Sequence, residues 1–393
     1  MLSLRNVRQV FTPPVMENIP WSTLPDHATI TILSYLSGVD RARAGSTCTS
    51  WHRCYKSPQL WQTATLNFQQ PRDGHCLLWL AQCAQNMRTV RILLNQFESE
   101  NRRNACEALN ILSKAQGRQL MKLCIEFTGD NPFFFNGQDF VDALKALFDR
   151  HVDSTRWQLK HVQLCGLAVS YDATVVDSLS ENNPLLQFLD ISNNVRICKV
   201  PPDCVERLVD RCRGLKHLAL FHCSLTDQVL ECLAQPDRVP LEYLGITCRW
   251  EQAYMGDLSS EAWNTLTSRC PNLRVCLVFN ETCPLHKISV IMKPEIPVKE
   301  LRLEPSNCIF KDELDLVARS YSKTLEKVVL QTENYSELGD NLIYLCTKCK
   351  RLTSLVVHCV LEKTVVDTIL TICPQMKDRG TYLLKSEPEL KVG

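Results

Sequence analysis

The sequence predicts an α/β protein in two parts: a short all-α unit of three helices, then an irregular solenoid of repeated strand–helix units with parallel strands inside and helices outside. Three observations predict it. From about residue 60 onward a leucine pattern recurs, with starts spaced by 25 to 39 residues. Residues 19–61 do not share that pattern and carry apolar residues at helical spacing. The 393 residues are 45% hydrophobic and 22% charged, the balance of a folded chain, with too few glycines (13) for a collagen-like repeat. Lys and Arg number 44 against 43 Asp and Glu, a net charge of +1, so no global field draws the chain to nucleic acid or a membrane surface.

The repeats read Leu159-Lys-His-Val162-Gln-Leu164, Leu186-Gln-Phe-Leu189-Asp-Ile191, Leu215-Lys-His-Leu218-Ala-Leu220 and Leu241-Glu-Tyr-Leu244-Gly-Ile246. They continue with Leu273-Arg-Val-Cys276-Leu-Val278, Val298-Lys-Glu-Leu301-Arg-Leu303, Leu325-Glu-Lys-Val328-Val-Leu330 and Leu352-Thr-Ser-Leu355-Val-Val357. Weaker copies begin at Leu60, Met87 and Leu120. This is the L-x-x-L-x-L frame of a leucine-rich repeat. Positions 4 and 6 share one face of a short strand, and positions 3, 5 and 7 share the other. Between strands lie amphipathic stretches such as Thr226-Asp-Gln-Val229-Leu230-Glu-Cys-Leu233, with Thr226 as N-cap and Asp227 in the first turn. Neither element buries its apolar side alone, so stacked units give a parallel sheet on one side and helices on the other. Position 9 fits poorly: Asn194 and Cys223 suit it, whereas Leu167, Arg249, Glu333 and Val360 do not, hence an irregular solenoid.

Twenty-one cysteines are an unusual complement. The spacing Cys212-x-x-Leu215, Cys270-x-x-Leu273, Cys349-x-x-Leu352 and Cys373-x-x-Met376 sets a thiol at the end of each helix, just before the next strand. Such thiols act as small buried hydrophobes. Cys346-Thr-Lys-Cys349 has no second pair to complete a zinc site, so it reads as a repeat cysteine with a neighbour one helical turn earlier. No metal or cofactor is implied.

The N-terminal unit carries Leu24-Pro25, Ile32-Leu33-Ser-Tyr35-Leu36, Asp40-Arg-Ala-Arg43, Cys48, Trp51 and Pro58-Gln-Leu60-Trp61. Pro25 suits a helix start, Gly38 an end of that first helix, and Asp40 the opening of a second helix carrying Ala42, Ala44 and Cys48. Trp51 lies on a third. About forty residues bury too little apolar surface to stand alone, and exposed apolar anchors at helical spacing mark a partner surface. As a set, these motifs resemble an F-box, with His27 and Ala28 departing from the usual acid and larger aliphatic. An F-box followed by leucine-rich repeats is similar to the F-box/LRR family of substrate receptors of SCF ubiquitin ligases.

That resemblance implies contact with the adaptor Skp1 through Leu24, Pro25, Ile32, Leu36, Trp51, Leu60 and Trp61, some of which hold the three helices together instead. Through Skp1 come cullin-1 and the RING subunit, and the destination is ubiquitination and proteasomal degradation of a protein substrate. Residues 1–60 hold six Lys/Arg against three Asp/Glu, which suits the family's acidic adaptor. The branch that captures cryptochromes closes its pocket with an aromatic C-terminal tail; Lys385–Gly393 has no aromatic, so that ligand is not implied. The expected divisions are a disordered segment over 1–18, the F-box over 19–61, the solenoid over 62–384 and a tail over 385–393. The expected location is cytoplasmic and/or nuclear, with no nucleic-acid or membrane partner.

The nine histidines are scattered, and no G-x-S-x-G, H-E-x-x-H or P-loop pattern appears, so no enzyme constellation stands behind the chain. Catalysis in a ligase belongs to the partners, and this chain supplies proximity. Substrate recognition falls on outward strand positions 3, 5 and 7. Among these, Phe188, Phe221, Tyr243, Leu277 and Phe279 form adjacent columns, an expected apolar patch on the concave face. The aromatic run Phe133-Phe134-Phe135 reads as packing over the sheet edge. The competing reading is a free-standing cytosolic leucine-rich binding or inhibitor protein in which the N-terminal helices are only a cap. A cap needs a polar outer face, which Trp51 and Leu60-Trp61 do not offer.

Overall fold

The structure, a computed structural model, describes residues 21–36, 38–132, 137–149, 158–193, 195, 197–305 and 308–378. The segments 1–18 and 385–393, the run Phe133–Phe135 and Asn194 lie outside the described residues. The chain divides after Thr63 into two compact units.

The first unit holds α1 (Asp26–Ser34), α2 (Gly38–Gly45), α3 (Thr49–Tyr55) and a 3-10 turn at Pro58–Trp61. Pro25 is the N-cap of α1, with its carbonyl accepting from the Thr29 N–H at 3.1 Å, and Asp26 sits in the first turn, where the helix dipole favours a carboxylate. Leu33 and Thr29 are the buried residues of this helix. Two expectations need correction. Gly38 opens α2 instead of closing α1, and Cys48 is the N-cap of α3 and not part of α2. Gly45 is where α2 meets α3: a Cβ there would lie 2.7 Å from Tyr55 Cγ, so only glycine permits this approach.

The second unit carries a parallel sheet in strict sequence order: β1 (Thr63–Phe68), β2 (Thr89–Asn95), β3 (Lys122–Thr128), β4 (His161–Gly166), β5 (Phe188–Asp190), β6 (His217–Phe221), β7 (Tyr243–Cys248), β8 (Arg274–Phe279), β9 (Val298–Leu303), β10 (Lys327–Leu330) and β11 (Ser354–Val357). Helices intervene: α4 (Cys76–Cys83), α5 (Ser99–Lys114), α6 (Gln138–Phe148), α7 (Ala173–Asn182), α8 (Pro202–Arg211), α9 (Asp227–Leu233), α10 (Ser260–Arg269), α11 (Leu285–Ile291), α12 (Lys311–Ser320), α13 (Leu338–Lys348), α14 (Lys363–Ile372) and α15 (Pro374–Asp378). Sequential order with a helix between parallel neighbours is what short right-handed crossovers produce. The register brings frame-position-4 residues together, Leu123 opposite Val162, then Leu189, Leu218 and Leu244, all fully buried. Thr226 caps α9 as expected, accepting from the Val229 N–H at 3.3 Å.

The repeat cysteines have a positional role. Cys212, Cys270, Cys349 and Cys373 are the C-cap residues of α8, α10, α13 and α14, each with ψ between 66° and 76°. Asn183 takes the same place after α7, and its Oδ1 accepts the Leu159 N–H at 2.9 Å; Cys270 Sγ accepts the Leu241 N–H at 3.3 Å. A small acceptor at the helix end satisfies the backbone donor that opens the preceding repeat, a group that would otherwise be buried without a partner. Two buried arginines do the complementary work. Arg118 Nη1 donates to Leu147 O of α6 at 3.0 Å, and Arg238 Nη1 donates to Val209 O of α8 at 3.1 Å, so a cation meets the negative end of a helix.

Candidate functional site

In the first unit the seven predicted adaptor residues separate by exposure. Leu60 and Trp61 are buried, Leu24, Ile32, Leu36 and Trp51 are half-buried, and Pro25 is exposed. Trp61 donates its Nε1–H to Tyr55 O at 2.7 Å and meets the Tyr55 ring edge-on at 5.0 Å. Arg41, part of the Asp40–Arg43 motif but not among the seven residues, explains the order of this unit. Its guanidinium donates to Leu33 O at 3.0 Å, Leu36 O at 3.2 Å and Leu60 O at 2.5 Å, and lies 5.1 Å over the Trp61 ring. One side chain thus ties the end of α1 to the Leu60 turn. The surface that remains is apolar: Trp21 is 68% and Tyr35 85% exposed. The Trp51 Nε1–H donates to Trp21 O at 2.9 Å, and a groove of about 380 Å³ is lined by Trp21, Ala44, Thr47, Cys48 and Trp51. Arg53 grips Asp26 through both carboxylate oxygens and holds that carboxyl below its ordinary pKa, but the pair is exposed and contributes little stability.

On the sheet face away from the core, four rings stack in one column. His161 and Phe188 are 3.8 Å apart between centroids at 13°, Phe188 and His217 3.8 Å at 14°, and His217 and Tyr243 4.1 Å at 5°. These residues are direct register partners on β4, β5, β6 and β7. Neighbouring strands lie about 4.8 Å apart, so flat rings at one register position meet face to face. Gly245 makes room at the end of the column: a Cβ there would lie 3.0 Å from Ala219 Cβ and 3.1 Å from Tyr243 Cε1. Burial pushes His161 down to about 4, with Lys122 adding to it, and His217 down to about 4, with His161 and Arg274 adding to it. Both imidazoles are therefore neutral near pH 7, which suits stacking on Phe188 and Tyr243.

The predicted substrate patch is corrected by register. Phe188 and Tyr243 stand half-buried on the open face as expected. Leu277 and Phe279 are fully buried and belong to the core. The β7–β8 ladder pairs Ile246 with Leu277 and Cys248 with Phe279, and β8–β9 pairs Leu277 with Leu301 and Phe279 with Leu303, across a shift at Val275/Cys276. The outward residues of β8 are accordingly Arg274, Cys276 and Val278. Phe221 keeps its column but is covered: the Arg249 guanidinium lies 3.6 Å over its ring, leaving it 4% exposed. Arg249 in turn pairs with Glu251 at 2.7 Å and donates to Val195 O. Beside this stack runs a groove of about 300 Å³ lined by Ser192, Thr247, Arg249, Asn280, Glu304 and Gln331. His161 and His217 were legible as position-3 residues, but their coplanar stacking depends on register alone.

Among the described residues no group of three His, Cys, Asp or Glu could hold a metal ion, and no helix is long and apolar enough to cross a membrane. Against known proteins, residues 21–67 match the F-box-like family. The chain is 29% identical to human F-box/LRR-repeat protein 8 over 93% of its own length and 96% of that protein's. It is 27% identical to mouse F-box/LRR-repeat protein 21, over 86% of this chain and 76% of that one. Mouse F-box only protein 33 is 24% identical over 86% of this chain and 71% of that one. An F-box-like segment leading into stacked leucine-rich repeats, with relatives so named along most of its length, makes this chain similar to the F-box/LRR proteins.

Proposed function

We propose that this chain is the substrate-recognition subunit of a Skp1–cullin–F-box ubiquitin ligase. It takes Skp1 on its F-box through Leu24, Pro25, Ile32, Leu36 and Trp51, with Leu60 and Trp61 holding the helices beneath. It presents a protein substrate for ubiquitination and degradation on the open sheet face around Phe188 and Tyr243. An F-box joined to leucine-rich repeats is the build of SCF substrate receptors in general, and such proteins are generally non-catalytic. Cullin-1 and the RING subunit would join through Skp1. The observation that carries the reading is the apolar surface of the F-box unit, where Trp21, Tyr35 and the groove at Trp51 lie open on a unit otherwise closed around Leu33. Exposed aromatic anchors of this kind are what a partner's groove takes up.

Co-expression with Skp1 tests it. A stoichiometric complex is expected, lost in the Leu24→Ala/Pro25→Ala double variant while the circular dichroism of the solenoid is unchanged. A folded chain that ignores Skp1 overturns the reading and leaves a free-standing binding protein as the better account.

A further inference from the structure

All 21 cysteines are free thiols, and most are inert by burial; Cys204, Cys212 and Cys349, for example, are pushed up to about 12. Two pairs differ, Cys198 with Cys223 and Cys346 with Cys373, because in each the two thiols interact, one lowered and the other raised by its partner. Access separates them. Cys346 and Cys373 are fully buried at helix ends, whereas Cys198 and Cys223 are both partly exposed.

The accessible pair joins neighbouring repeats. Cys198 follows β5, and Cys223 lies in the turn His222–Ser224 that follows β6. Cys198 Sγ is also 3.4 Å from Ser224 Oγ. A buried cation stands beside them: Arg249, 5% exposed, lowers Cys198 electrostatically, and the Glu251 carboxylate that pairs with Arg249 accepts the Cys198 backbone N–H at 3.3 Å. Interaction with the Cys223 thiol, and less strongly with Ser224, holds the Cys198 thiol below its ordinary value against the opposing effect of burial. A partly exposed thiol near a fixed cation, with a second thiol in contact, is the environment of a reactive cysteine with a resolving partner.

We propose that Cys198 and Cys223 form a peroxide-sensitive dithiol that closes reversibly to a disulfide between two adjacent repeats. The Cys198 thiolate attacks one oxygen of hydrogen peroxide, the O–O bond breaks, and with the thiol's proton the leaving hydroxide becomes water, leaving a sulfenic acid. Cys223 sulfur then attacks Cys198 sulfur, the S–OH bond breaks, and the second hydroxide takes up the Cys223 proton. Two thiols lose two electrons and two protons, and one peroxide becomes two waters. The bond ties the segment after β5 to the turn beside Phe221, at the wall of the Arg249 groove. This inference does not rest on the ligase reading.

The test uses the full chain at neutral pH. Reduced protein is labelled with iodoacetamide, and a second sample is treated with hydrogen peroxide, blocked, digested without reductant and read by mass spectrometry. Cys198 is expected to alkylate at least about tenfold faster than Cys346 or Cys373, the gain that a lowered thiol pKa with access gives. The Cys198–Cys223 cross-linked peptide is expected as the first disulfide, removed by dithiothreitol. In Cys223→Ser the Cys198 sulfenic acid should persist and be trapped by dimedone. Equal labelling of Cys198 and Cys346, or overoxidation of Cys198 in wild type with Cys223 still a free thiol, overturns the proposal.

Discussion

Tyr243 lies directly opposite Arg274 across the β7–β8 ladder, one residue earlier than alignment of the leucine frames would pair it. That slip turns β8 over. Because side chains alternate along a strand, a one-residue shift exchanges the core face for the open one. The aromatic column therefore ends at Tyr243, with Arg274 standing at the next place in the row.

Leu277 and Phe279 should behave as core residues. Leu277→Ala is expected to cost about 2–5 kcal/mol and Phe279→Ala about 3–5 kcal/mol of stability. Chemical denaturation checks this, and a loss of substrate binding without a loss of stability would contradict the register.

Phe188 sits between His161 and His217 and stacks on both. Phe188→Ala breaks two contacts, each contributing about 0.5–1.5 kcal/mol beyond buried area. A Phe188→Ala/Tyr243→Ala variant should lose bound substrate in affinity purification while retaining Skp1, which separates the two surfaces.

His161, His217 and His222 are each pushed by burial from the ordinary 6.5 to about 4. As pH falls from 6.5 toward 4 the unfolded chain takes up protons that the folded chain refuses, so stability falls across that window and is fully present above it. Asp190 and Glu313, whose carboxyls burial raises, act in the opposite sense at the acid end. The denaturation midpoint should be lower at about pH 5 than at about pH 7.5. His217→Phe keeps a ring in the stack and should flatten that dependence.

Arg238 is buried with Nη1 on Val209 O and Nη2 on Cys212 O at 3.4 Å. Arg238→Met leaves those carbonyls at the end of α8 without this donor, and a loss of about 1–3 kcal/mol is expected in urea unfolding.

Arg41 should matter to the F-box as a tie and not as a contact. Arg41→Ala removes donors to three backbone carbonyls and is expected to weaken Skp1 capture through loss of structure, seen as reduced near-ultraviolet dichroism from the tryptophans. A variant that keeps that signal yet loses Skp1 would make Arg41 a contact residue.

The alternation of Val162 with Leu164 and of Leu218 with Leu220, and the thiol three residues before Leu215, Leu273, Leu352 and Met376, were enough to set parallel strands, helices between them and a cysteine at the ends of α8, α10, α13 and α14. Local periodicity and capping chemistry act within a few residues, so the chain itself carries them. Leu24-Pro25 through Trp61 likewise marked a helical unit. Which residues reach solvent was a different matter. Leu277 reads as outward in its own repeat and is core because β8 pairs with β7 one residue off the leucine frame; Phe221 reads as exposed and is covered by Arg249, a residue that had seemed only a misfit at position 9. The four-ring column and the Cys198–Cys223 contact join residues 25 to 29 positions apart, and they exist only because parallel register sets one repeat beside the next at strand spacing.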